Sequence, residues 1–239
     1  MRFACPLTVV FLGVLTVAGA ADFWLSKEYT DWSKEEATKV LTDSPWADTA
    51  EAVAPPSAGL GIGSATNEDS VGAYRDALGG GPRGRPSAGG APGGPRKMQL
   101  QLRWASALPV RQAMARYQFG DEVATSANAQ QMIANTPNRY VLEIAPVPSA
   151  LFGGDAEHLK EISTLRIKGH KPIPPVAVQG REIKEGRMQV YLLFPKAAEG
   201  GYDITPEDKN VEIQLKFDTA LCSKKFKLKD MVYHGKLEI

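Results

Sequence analysis

Cysteine and histidine are scarce in this chain of 239 residues: two cysteines, Cys5 and Cys222, and three histidines, His158, His170 and His234. No H-E-x-x-H, C-x-x-C or H-x-H spacing joins them, so local sequence writes no zinc site and calls for no cofactor. An excess of one charge is also lacking. Lys+Arg number 28 against 27 Asp+Glu, which argues against bulk nucleic-acid binding, since that usually needs a basic surplus. No G-x-S-x-G elbow or Ser-x-x-Lys acyl-transfer motif stands in the part expected to fold. Gly59-Leu60-Gly61-Ile62-Gly63 lacks the G-x-G-x-x-G spacing of a nucleotide loop and has no strand before it. No repeat of 20–50 residues is visible. Disorder throughout is excluded in turn, because 43% of residues are hydrophobic and only 23% charged.

The longest apolar run is short. Leu7 to Val17 is too brief to span a bilayer, which takes about 20 residues. With Arg2 before it and Ala18-Gly19-Ala20 after it, the pattern predicts a secretory signal over residues 1–20, cleaved before Ala21. The expected mature chain is periplasmic or secreted, with no transmembrane segment after cleavage. Cys5 leaves with the leader, so Cys222 has no intramolecular disulfide partner and reads as a small buried hydrophobe.

Residues 21–50 read as a short amphipathic helical arm. Ser33 and Glu36 have capping-box spacing, and Ala37, Val40 and Leu41 fall on one helical face. Three of the four tryptophans, Trp24, Trp32 and Trp46, lie in this arm. Aromatic side chains at that density need a surface to bury against. That surface is either the protein's own domain or a protein partner of the envelope, and in the second case the three tryptophans are partner-binding residues. Residues 51–97 read as a disordered linker, since glycine and proline dominate from Gly79 to Pro95 and such a tract cannot bury enough apolar surface to order itself.

Residues 98–239 read as one globular α+β domain: a mostly antiparallel sheet or sandwich of about seven strands with a few helices. Strands are predicted at Met98–Trp104, Arg139–Ala145, Thr164–Lys168, Met188–Phe194, Val211–Phe217 and Lys225–Lys229, and helices over Ser106–Tyr117, Glu122–Ala134 and Asp155–Ile162. The clusters Asp155, Glu157 and His158, and Asp203, Glu207 and Asp208, read as helix starts and caps rather than metal ligands. Lys225, Lys227 and Lys229 would share one strand face. They either guard an exposed sheet edge or form a basic stripe for an anionic partner.

The segments Trp104–Ala113 (WASALPVRQA) and Lys225–Ile239 (KFKLKDMVYHGKLEI), together with the leader, the Trp-rich arm and the Gly-rich tract, resemble a family of uncharacterised exported bacterial proteins with no assigned function. The resemblance implies export and supplies no catalytic residues. The expected role is a non-enzymatic binding or structural module of the cell envelope or extracellular space. The alternative is a hydrolase or carbohydrate-active enzyme whose acidic residues meet only in the fold.

Overall fold

The structure is a computed structural model that describes residues 22–54, 96–149, 156–184, 186–217 and 220–239. Alternation of apolar and polar residues sets its strands. Met98, Leu100, Leu102 and Trp104 share one face of β2 (Arg96–Trp104), and all four are buried, because successive side chains on a strand point to opposite faces. β2 pairs with β1 (Ala47–Ala54) on one side and β3 (Tyr140–Pro148) on the other. With β4 (Ser163–Ile167), β5 (Ala177–Lys184), β6 (Arg187–Phe194), β7 (Asn210–Phe217) and β8 (Ala220–Lys227), they form one eight-stranded sheet in the order β4-β7-β8-β1-β2-β3-β6-β5. Every pairing in it is antiparallel. A separate hairpin joins β9 (Val232–Tyr233) to β10 (Lys236–Leu237).

The sheet curls. Its two edge strands, β4 and β5, are connected by residues 168–176 alone, and Ile173 in that connection bridges back to Leu165 of β4. The helix Ala156–Ile162 packs on β4, β5 and β7 beside this connection. The expected α+β class with an antiparallel sheet is therefore what the chain adopts. The described residues hold ten strands rather than about seven, and eight of them lie in one curled sheet.

Five α-helices accompany the sheet among the described residues: α1 (Phe23–Ser26), α2 (Lys34–Thr42), α3 (Leu108–Phe119), α4 (Ala127–Ala134) and α5 (Ala156–Ile162). α2 begins where the sequence predicts. Glu36 N–H donates to Ser33 Oγ at 3.1 Å and Ser33 N–H donates to Glu36 at 2.7 Å, a reciprocal capping box. Lys27 Nζ adds a 2.6 Å bond to the same carboxylate. Burial would raise the Glu36 carboxyl, but the Lys27 and Ser33 contacts hold it below its ordinary range. The buried face of α2, Ala37, Val40 and Leu41, packs towards α3.

Three expectations need correction. The arm, linker and body do not divide at residues 50 and 97. β1 crosses the first boundary, Arg96 and Lys97 begin β2, and a single hydrophobic core contains Trp24, Trp32 and Trp46 along with Leu100, Leu192 and Ile213. β1 escapes a reading by pattern because its inward residues are alanines, which are poor strand formers. Second, β3 does not stop at Pro146: a bulge between Ile144 and Val147 carries the strand on to Pro148. Third, β5 is an additional strand, mostly exposed along Gln179–Glu182, whose polar residues and Gly180 give no apolar alternation. The leader, the start of the arm at Ala21 and the Gly/Pro tract lie outside the described residues. No helix among the described residues is long and apolar enough to cross a membrane.

A polar array crosses the face of the sheet opposite Leu102. Arg103 of β2 pairs with Glu143 of β3, both side chains being almost wholly buried. Gln189 of β6 donates to the same carboxylate oxygen, Glu143 Oε1, at 2.5 Å, and Arg181 of β5 donates to Gln189 at 2.6 Å. Four strands are thus tied in register by side chains as well as by their ladders.

Candidate functional site

β1 and β8 are neighbours that pair only at Ala52↔Cys222 and Val53↔Leu221. Towards Ala47 and Lys227 they have no paired residues. Lys224 of β8 occupies this parting. Its Nζ donates to the Thr49 carbonyl at 3.2 Å and forms an ion pair with Asp48. Asp48 Oδ1 in turn accepts the Thr49 N–H at 2.6 Å. Side chains from both strands therefore satisfy both main-chain groups of Thr49, a residue that a continuous ladder would serve with backbone.

Beyond the parted strand ends lies an open groove of about 710 Å³. Asp43, Ser44 and Pro45, just before β1, line it with Lys229 and Asp230, just after β8. Asp22, Trp24 and Leu25 of the α1 region, Lys39 of α2, and Val232, His234 and Gly235 of the C-terminal hairpin complete the lining. Its size falls in the range of ligand-binding clefts.

An aromatic column holds the walls. Trp24 meets Trp46 edge-on at 6.0 Å between ring centres, and Trp46 meets Tyr233 at 5.9 Å. Phe23 stands edge-on to both Trp24 and Trp32. Such T-shaped pairs are favourable beyond simple area burial. The indole of Trp46 donates to the Glu238 carbonyl at 2.9 Å, and Glu238 Oε2 accepts the Leu108 N–H at 3.2 Å. Trp32 Nε1 donates to the Lys27 carbonyl at 3.1 Å.

The hairpin tip is set by backbone geometry. His234 (φ 48°) and Gly235 (φ 79°) both lie at positive φ, the signature of a two-residue type I′ turn. Asn, Asp or Gly usually fills the first of these positions, and His is a tolerated but uncommon occupant. His234 is exposed and rests its ring against Tyr233 at 4.1 Å.

The expected site residues divide between core and surface. Trp32 and Trp46 have no exposed area and Trp24 keeps 4%, so the arm docks on its own domain and its indoles are not a free binding face. The reason is energetic: short helices are marginal alone, and these rings gain more by closing the core than by waiting in water. Lys225 and Lys227 are exposed on β8 but face Glu212 and Asn210 across the β7 ladder. Lys229 lies on the following turn, Leu228–Met231, 3.9 Å from Asp230, and lines the groove. The three lysines therefore form no single stripe. β8 lies between β7 and β1 and is no outer edge of the sheet, so Lys225 and Lys227 border only the stretch where it is unpaired with β1.

Asp22, Leu25, Lys39, Asp43, Asp230 and His234 are groove residues that the sequence reading did not single out. Only the turn at His234-Gly235, flanked by Val-Tyr and Lys-Leu, carries a local signal. Cys222 is buried on the inner face, and burial, opposed by the Lys224 charge, pushes its thiol up to about 12. Burial and a raised pKa both disfavour the thiolate, which is the reactive form. Among the described residues no group of three or more His, Cys, Asp and Glu side chains could hold a metal ion. Comparison with protein-family models, with curated proteins and with solved structures finds no match.

Proposed function

We propose that this is an exported, non-enzymatic binding module of the cell envelope or extracellular space, and that the groove between α1, the start of β1 and the C-terminal hairpin is its binding site. The observation that carries the reading is the groove itself: about 710 Å³, walled by side chains of both charges and by the half-exposed Leu25, and braced from behind by the buried indoles of Trp24 and Trp46. A braced wall spends little ordering entropy when a ligand arrives. Export is supported by the leader-like pattern of Arg2, Leu7–Val17 and Ala18-Gly19-Ala20.

Two measurements test the reading. N-terminal sequencing of the protein made with its leader in a Gram-negative host gives Ala21 as the first residue of a periplasmic product; an intact Met1 in the cytoplasm contradicts export. Nuclear magnetic resonance of the intact protein with soluble ligands moves signals of Leu25, Asp43 and His234 without consuming the ligand. Consumption that stops on changing Asp22, Asp43 or Asp230 favours the hydrolase reading instead.

A further inference from the structure

Building on the groove as a binding site, we propose that its ligand is a neutral polyhydroxyl chain, an oligosaccharide segment, rather than a polyion or a peptide.

Charge excludes the polyions. Three carboxylates, Asp22, Asp43 and Asp230, line the groove with two ammonium groups, Lys39 and Lys229, the latter 3.9 Å from Asp230, and with His234. A polyanion entering the groove meets the carboxylates and a polycation meets the lysines, and each pays for desolvating charges that it does not match. A hydroxyl both donates and accepts. A row of them serves carboxylates and ammonium groups in the same groove without bringing net charge.

Backbone geometry disfavours a peptide held by strand addition. Peptides that bind along a surface by main-chain pairing need an exposed strand edge. These walls are helix ends, turns and a hairpin tip, with Val232 the one strand residue in the lining. Where β1 parts from β8, Thr49 already has its N–H and C=O taken by Asp48 and Lys224. Apolar surface for the C–H faces of sugar rings comes from Leu25, which is 50% exposed, together with Pro45 and Val232.

The experiment titrates the intact protein with cellohexaose, maltohexaose and hexa-N-acetylchitohexaose, followed by calorimetry and by the nuclear magnetic resonance signals of Leu25 and His234. Binding of at least one hexasaccharide is expected. Leu25→Asp and Asp230→Asn should each weaken it by about tenfold or more, equivalent to about 1.4 kcal/mol. Lys225→Ala, away from the groove, should leave it unchanged. Leu25 is exposed, and Asp230→Asn keeps the size and shape of an exposed side chain, so neither variant threatens the fold. If no hexasaccharide moves these signals while peptides selected from a displayed random library do, the saccharide assignment fails and the groove remains a binding site. If neither class moves them, both readings fall. Hexasaccharide binding that is indifferent to Leu25→Asp and Asp230→Asn also overturns the assignment.

Discussion

Trp46 and Glu238 lie 192 residues apart in sequence and are joined by a 2.9 Å hydrogen bond from the indole N–H to the main-chain carbonyl. This contact ties the entry to β1 to the last residues of the chain. Cutting the chain between residues 54 and 96 is expected to leave residues 22–54 bound to the remainder, since β1 pairs with β2 along its whole length and with β8 at one end. Size-exclusion chromatography of the nicked protein checks this; separation of the two fragments under native conditions contradicts it. Trp46→Phe removes the donor and leaves a partly buried carbonyl unpaired, at a cost of about 1–3 kcal/mol in urea unfolding.

Ala54 and Arg96 are cross-strand partners at the end of the β1–β2 pair. Replacing residues 55–95 by a two-residue Asn-Gly turn should therefore retain the fold. It should also raise the free energy of unfolding by about 2 kcal/mol through the smaller entropy of loop closure. Thermal melting of the shortened chain reads the result, and a lower melting temperature counts against the register given for these strands.

Glu143 accepts from both Arg103 and Gln189 in a site almost closed to solvent. Glu143→Leu strands the Arg103 charge there, and a loss of about 3–5 kcal/mol is expected. The double change Glu143→Leu with Arg103→Met removes both charges and should recover most of that loss. If the single and double variants unfold at the same urea concentration, the pair is not buried as described.

A Cβ on Gly201 would lie 1.9 Å from the Pro195 carbonyl oxygen, closer than any real side chain approaches backbone. Gly201→Ala must push the turn after β6 away from Pro195. Destabilisation should exceed the roughly 1 kcal/mol average of point changes, with the larger shift at the Ala197–Glu199 turn. Gly200→Ala gives a useful contrast: its φ is 83° but nothing lies within 4 Å, so its cost is backbone strain alone.

Burial lifts the Cys222 thiol from an ordinary 9.0 to about 12. Tyr233 rises from 10.0 to about 12, first through burial and then through Glu28, Tyr29 and Glu238 nearby. The folded chain keeps these protons where the unfolded chain gives them up, so their contribution is intact below pH 9 and is lost as pH climbs towards 12. Unfolding in urea should accordingly become easier between pH 9 and pH 12. Iodoacetamide at pH 8 should modify Cys222 only after denaturant is added.

Much of this architecture is readable from local pattern. Ser33 and Glu36 announce α2, and the alternation in Met98–Trp104 and Val211–Phe217 gives β2 and β7, because each depends on chemistry between near neighbours. β1 is hidden: Ala50 and Ala52 point inward but alanine carries little strand signal. The tryptophans announce that they need burial, yet their partners, Tyr233 and Glu238, stand near the opposite terminus. The groove is least visible of all. Its residues come from positions 22–25, 39–45 and 229–235, and nothing in any one stretch declares that the others will face it. Lys225, Lys227 and Lys229 mislead for the same reason: alternation fixes a face but not which strand will lie alongside.

The parting of β1 from β8 leaves the centre of the sheet dependent on contacts between residues distant in sequence. β1 comes well before its second neighbour, β8, and its clasp, Glu238, stands 192 residues beyond Trp46. Non-local pairings of this kind meet the cost of loop closure before they gain anything, so the middle of the sheet is expected to close late in folding rather than progressively along the chain.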